Sequence, residues 1–145
     1  MSVQCLSILI VLLACSQRFV DTESGTSETL TILTQDENYV PIEQIDLTGK
    51  LGLTFQVKAC TSAYVALSAI FGVTNSRMYE IVISGWSNTK SVIRDCRQRW
   101  CNRAESPTGG LLKCNESVSL WVGWTNGHIV LGRGRFLGLE PLLEW

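Results

Sequence analysis

The sequence predicts an all-β fold, an antiparallel β-sandwich or jelly-roll-like single domain stapled by disulfides. Three observations carry this prediction. Residues 53–59 alternate strictly, with Leu53, Phe55, Val57 and Ala59 on one side and Thr54, Gln56 and Lys58 on the other, the pattern of a half-buried antiparallel strand. Asn126-Gly127 joins the apolar-rich runs 118–125 and 128–131, and this pair suits a tight hairpin because both central residues must take positive φ. No stretch keeps a helical period over three turns, whereas about eight short strands are separated by turn residues.

Along the chain, Leu6 to Ala14 is the one long apolar run. It falls short of the roughly 20 residues a membrane helix needs, and it stands at the amino terminus, so it reads as a signal peptide. Ala14 and Ser16 supply the small residues for cleavage after position 16, although residues 2–5 carry no Lys or Arg. Residues 1–16 are therefore set apart from the fold, and the product is expected to be secreted and extracellular, without a transmembrane segment. Residues 17–45 form an acidic lead-in and opening strand. From Asp21 to Asp46 every charge is acidic, so residues 17–28 are expected to be flexible, with β-branched residues marking a strand at 29–34. Residues 46–145 make up the domain proper, with further strands at 63–68, 78–84 and 91–94 and a connection at 71–76. The formal net charge of −1 gives no general reason to expect nucleic acid as a partner.

Once the leader is removed with Cys5 and Cys15, Cys60, Cys96, Cys101 and Cys114 remain, an even number in an oxidising compartment. Two disulfides are expected. Of the three possible pairings, Cys96–Cys101 with Cys60–Cys114 is favoured, the first as a local closure and the second as a long-range staple. Zinc is the competing use, but no second close cysteine pair answers Cys96 and Cys101, and His128 is the sole histidine, so no metal site is assigned.

The same chain is poor in catalytic constellations. His128 follows the hairpin turn and reads as exposed, the serines and cysteines lack a partner base, and Glu80 reads as a solvent-facing strand residue. Gly132-Arg133-Gly134 is not followed by a helix, which a phosphate-cradling loop requires. The charge pattern is more informative, because Lys90, Arg94, Arg97, Arg99 and Arg103 stand against Asp95 alone, with Trp100 among them. A solvated, disulfide-closed loop would explain them. So would a site for an anionic glycan or lipid headgroup, held by arginines and stacked on a ring. Trp86, in the turn Gly85-Trp86-Ser87-Asn88, is either a core plug or a ring presented to a sugar, and Asn88 tolerates a left-handed conformation. The candidate ligand-binding residues are thus Trp86, Asn88, Arg94, Arg97, Arg99 and Trp100. Asn115-Glu116-Ser117 is a glycosylation acceptor, placed just before a strand.

Residues 53–59, 63–68 and 79–94, followed by Leu120-Trp121-Val122-Gly123-Trp124, residues 127–132 and Glu144-Trp145, together resemble the farnesoic acid O-methyltransferase-like domain, with 79–94 the most specific block. The resemblance spans roughly 46–145. It implies methyl transfer from S-adenosylmethionine to farnesoic acid, a step toward methyl farnesoate and juvenile hormone, and a further strand beyond Trp145. The residues themselves favour a different reading, a secreted, non-catalytic module for glycan, lipid or protein ligands that uses no cofactor. They lack the α/β sheet and glycine loop before a helix on which such methyltransferases hold S-adenosylmethionine. The methyltransferase stands as the alternative.

Overall fold

A computed structural model describes residues 17–20, 29–34, 39–42, 45, 47–68, 78–97 and 100–145. The strands are β1 (Gln17–Val20), β2 (Thr29–Ile32), β3 (Gly52–Val57), β4 (Ala63–Ser68), β5 (Met78–Ser84), β6 (Lys90–Arg94), β7 (Asn102–Pro107), β8 (Val118–Thr125), β9 (His128–Arg133) and β10 (Pro141–Glu144). They form two antiparallel sheets, one of six strands in the order β10-β9-β8-β3-β1-β2 and one of four in the order β4-β5-β6-β7. The expected all-β architecture is present. The signal-peptide run and the connection at 71–76 lie outside the described residues.

The alternation that identified the strands also builds the core. Leu53, Phe55 and Val57 of β3, Leu120, Val122 and Trp124 of β8, and Ile129 and Leu131 of β9 pack against Val65 and Leu67 of β4, Ile81 and Ile83 of β5, and Ile93 of β6. Each strand therefore commits every second residue to the space between the sheets, which fixes its register, since a slip of one position would turn the apolar set outward. Phe55, Ile81, Ile93 and Leu120 are fully buried. Truncating one of the aliphatic members to Ala would cost about 2–5 kcal/mol.

The hairpin between β8 and β9 has the expected turn, with φ of 51° at Asn126 and 83° at Gly127, and Thr125 paired to His128. Both expected disulfides are formed. Cys60–Cys114 links the β3–β4 connection to the segment preceding β8, and Cys96–Cys101 closes the loop between β6 and β7. Closing the 54-residue separation of the first restricts the unfolded chain by about 4 kcal/mol in the loop-entropy picture.

Three differences from the sequence reading have physical causes. Gln17–Val20, expected to be flexible, pairs with both β2 and β3 as an inserted strand, Phe19 lying opposite Leu30 and Phe55. β7 was not anticipated, because it is an edge strand whose residues Asn102, Arg103 and Glu105 are exposed and show no apolar alternation. β10 was also missed. It opens on Pro141, which is tolerated only at the start of a strand or on a sheet edge, and buries Leu143 alone.

Candidate functional site

β5 and β6 are joined by a turn whose backbone is unusual. Trp86, Ser87 and Asn88 have φ of 49°, 58° and 63°, and Ser84 just before them has 49°. For non-glycine residues, and above all for tryptophan, this left-handed conformation is disfavoured by about 1–2 kcal/mol per residue, so surrounding bonds must hold it. They do. Thr89 N–H donates to Gly85 O at 3.0 Å, and Thr89 Oγ1 donates to Trp86 O at 2.7 Å. Asn88 N–H donates to Thr61 Oγ1 at 2.9 Å. The Asn88 side chain is spent on the backbone of Leu112, donating through Nδ2 at 3.0 Å and accepting through Oδ1 at 3.2 Å. Beneath the turn, Ser84, Ser91 and Thr108 form a buried hydroxyl cluster.

The turn leaves Trp86 45% exposed, so the ring is presented to solvent and not plugged into the core. Two cations lie over it: Lys90 Nζ is 4.6 Å and Arg94 Cζ is 5.5 Å from the ring centroid. Arg94 is held in turn by Glu80, at 3.0 Å, and its Nε donates to Asn102 Oδ1 at 2.9 Å. Glu80 also accepts a hydrogen bond from Tyr39 Oη, and Arg97 stacks over the Tyr39 ring at 5.0 Å. A continuous series of three cations, two rings and one carboxylate therefore runs from Arg97 through Tyr39, Glu80, Arg94 and Trp86 to Lys90 on the outer face of the four-stranded sheet. Burial and the adjacent Glu80 carboxylate hold the Tyr39 phenol far above its ordinary value, so it remains a donor.

Glu80 was expected on the solvent face, and this is corrected: it is wholly buried. It does point away from the intersheet core, but Ala66, Val82 and Val92 are also buried on this outer face. Only the register, which sets Glu80 opposite both Ala66 and Arg94, shows what the carboxylate meets. Pairing also reduces the apparent excess of positive charge. Lys90 meets Glu105 at 3.0 Å and Arg103 meets Asp95 at 2.7 Å, and that bond raises the Arg103 guanidinium further above its usual value. Arg97 has no carboxylate partner among the described residues, and its Nε is buried without an acceptor.

Of the candidate residues, the structure brings Trp86 and Arg94 together and places Arg97 further along the same series. Asn88 lies beneath Trp86 as a brace. Trp100 projects fully into solvent from the Cys96–Cys101 loop, and Arg99 lies outside the described residues. Asn115 is exposed beside Cys114, and His128 is exposed with Nδ1 3.1 Å from Glu144 Oε1. Tyr39 and Glu80 were missed as members, because Glu80 meets Arg94 only through the strand register and Tyr39 reaches it from a distant segment.

The turn and the strands on either side of it lie inside residues 34–145, which match the family model described as "Farnesoic acid 0-methyl transferase". The chain belongs to this family. Its similarity to "Uncharacterized protein 5" of Haliotis asinina is 28% identity over 114 residues, which is 77% of this chain and 65% of that relative. The chain thus spans just under two thirds of the length of the curated relative it matches. No solved structure gives a significant match.

The cofactor implied by the family description is S-adenosylmethionine, and neither glycine-containing turn among the described candidates forms the loop before a helix that holds it in α/β enzymes. The four-residue helical segment Gly85–Asn88 has left-handed dihedrals at Trp86 and Ser87 and offers no helix N-terminus. Gly132 and Gly134 lead into the edge strand β10, and the space a side chain would take at Gly132 is filled by the Trp121 indole. Among the described residues, then, no glycine loop leads into a helix N-terminus, the arrangement with which α/β-fold enzymes hold such a cofactor.

Proposed function

We propose that the protein is a secreted, non-catalytic member of the farnesoic acid O-methyltransferase-like family that binds an anionic glycan on the face carrying Trp86, Lys90, Arg94 and Arg97, with Arg99 and Trp100 contributed by the segment between Cys96 and Cys101. The observation that supports this best is the left-handed turn. Backbone strain in a non-glycine segment persists only where its surroundings impose it, and here the bonds of Asn88 and Thr89 hold a large ring out in solvent, where packing does not require it. In this reading Trp86 and Trp100 offer faces to sugar rings, Arg97 and Arg99 meet sulfate or carboxylate groups, and Glu80 and Asn88 position Arg94 and Trp86 without touching ligand. The two disulfides and the exposed acceptor Asn115 support an extracellular setting.

The family description favours a second reading, methyl transfer from S-adenosylmethionine to farnesoic acid. A calorimetric titration of the oxidised chain with S-adenosylmethionine, followed by a glycan array, separates the two. The proposal expects no heat with the cofactor and retention on sulfated or uronic-acid glycans. Labelled methyl groups appearing on farnesoic acid with purified protein would overturn it.

A further inference from the structure

The outer face of the six-stranded sheet, opposite the site above, carries a second feature. Gly52 pairs with Gly123 and Trp121 pairs with Gly132, so this face has a strip without side chains beside one large ring. Trp121 covers Gly132, and its Nε1 donates to Leu139 O at 2.7 Å, which fastens the loop between β9 and β10 onto the sheet. The loop is also closed on itself, with Arg133 N–H donating to Glu140 O at 2.9 Å and Leu139 N–H to Phe136 O at 3.2 Å. This ordered loop nonetheless holds apolar side chains out in water: Phe136 is 71%, Leu137 42% and Leu139 60% exposed, and Leu51, at the other edge of the strip, is 64% exposed. Between Leu51 and Leu137 lies a hollow of about 450 Å³ that Gly52, Gly123 and Val130 also line, with Lys50 among its lining residues and no Asp or Glu. Arg133 and Arg135 precede the apolar tips in the chain, both exposed and neither meeting a carboxylate among the described residues, and the exposed Glu140 follows them, which leaves the loop a net charge of about +1.

We propose that the loop from Arg133 to Glu140, with Leu51, is a docking wedge for an anionic lipid surface: Phe136, Leu137 and Leu139 enter the interfacial layer while Arg133 and Arg135 meet the headgroups. Apolar tips bordered by cations are the combination that binds such surfaces, because apolar burial and attraction to anionic lipid act together. A second copy of the chain fits less well. The exposed large apolar residues here are Leu51, Phe136, Leu137 and Leu139, far fewer than the roughly 20–30 residues, about 800 Å², that each partner gives to a standard interface.

The test is cosedimentation of the full oxidised chain with vesicles of phosphatidylcholine containing one quarter phosphatidylserine, against vesicles of phosphatidylcholine alone. The chain is expected to pellet with the anionic vesicles and to be released by salt. Arg133→Ser with Arg135→Ser should weaken partitioning roughly thirtyfold, at about 1 kcal/mol for each of the two cations near an anionic surface. Phe136→Ser with Leu139→Ser should abolish it at an unchanged thermal midpoint, while Trp86→Ala should leave it intact, so this result stands or falls apart from glycan binding. Failure to pellet, equal binding to both vesicle types, or undiminished binding by the Phe136 and Leu139 double variant would each overturn the proposal. So would a lipid-free dimer that the same double variant dissolves.

Discussion

Glu80 and Arg94 face each other across β5 and β6, with Arg94 Nη1 3.0 Å from the Oε2 of a carboxylate that has no solvent exposure. The pair fixes the guanidinium where it can lie against Trp86. Removing one partner from a buried pair leaves an uncompensated charge, so Arg94→Ala is expected to destabilise the domain by about 3–5 kcal/mol. Changing both residues to Leu should recover most of that stability while weakening ligand binding, because the cation near Trp86 is lost. Equilibrium urea unfolding measures the stabilities, and a loss below about 1 kcal/mol in the single variant would contradict the buried pairing.

Tyr39 sets a limit on alkaline stability. Its phenol is raised above the ordinary value of 10.0, so above that pH the unfolded chain releases a proton that the folded chain retains. Its contribution is fully present below pH 10 and falls as pH rises further, by up to about 1.4 kcal/mol per pH unit. Tyr39→Phe should be less stable near neutrality, through loss of the bond to Glu80, and should decline less steeply above pH 10. Parallel alkaline unfolding curves for the two proteins would count against this assignment.

The hairpin tests the backbone argument. Gly127 sits at φ of 83°, a conformation that a β-branched side chain resists, and Gly127→Val is expected to cost about 1–3 kcal/mol. Thermal unfolding reads the change directly, and an unaltered midpoint would mean that the turn relaxes into another type.

Export and oxidation can be read together by mass. Protein recovered from the medium of expressing cells should begin after residue 16, carry a glycan at Asn115 that an N-glycosidase removes, and gain nothing on alkylation under denaturing, non-reducing conditions. Two or more labelled cysteines would contradict the disulfides, and retention of residues 1–16 would contradict the leader.

Much of the fold was legible because the core strands obey one rule. β3, β5 and β8 place alternate apolar residues on one face, and Asn126-Gly127 declares its own turn. β7 was illegible because its exposed edge needs no apolar face, and β10 because a single buried residue, Leu143, leaves no period to detect. At the site, Asn88 announced a left-handed residue. The same conformation at Trp86 and Ser87 lies in a turn anchored through Asn88, whose partners Thr61 and Leu112 are distant in sequence. The pairing of Glu80 with Arg94 is likewise a product of strand register, which a run of residues does not disclose.

Whether the Trp86 face holds an anionic glycan is read from the salt dependence of binding to a heparin-derived oligosaccharide. Affinity is expected to fall steadily with added salt, because exposed charges more than about 8–10 Å apart are screened near physiological ionic strength. Arg97→Ser with Arg99→Ser should weaken binding and flatten that slope. Trp100→Ala should weaken binding and leave the slope unchanged, since a neutral ring adds contact and not charge. Affinity that is indifferent to salt, or retained in full by the Arg97 and Arg99 double variant, would contradict the account.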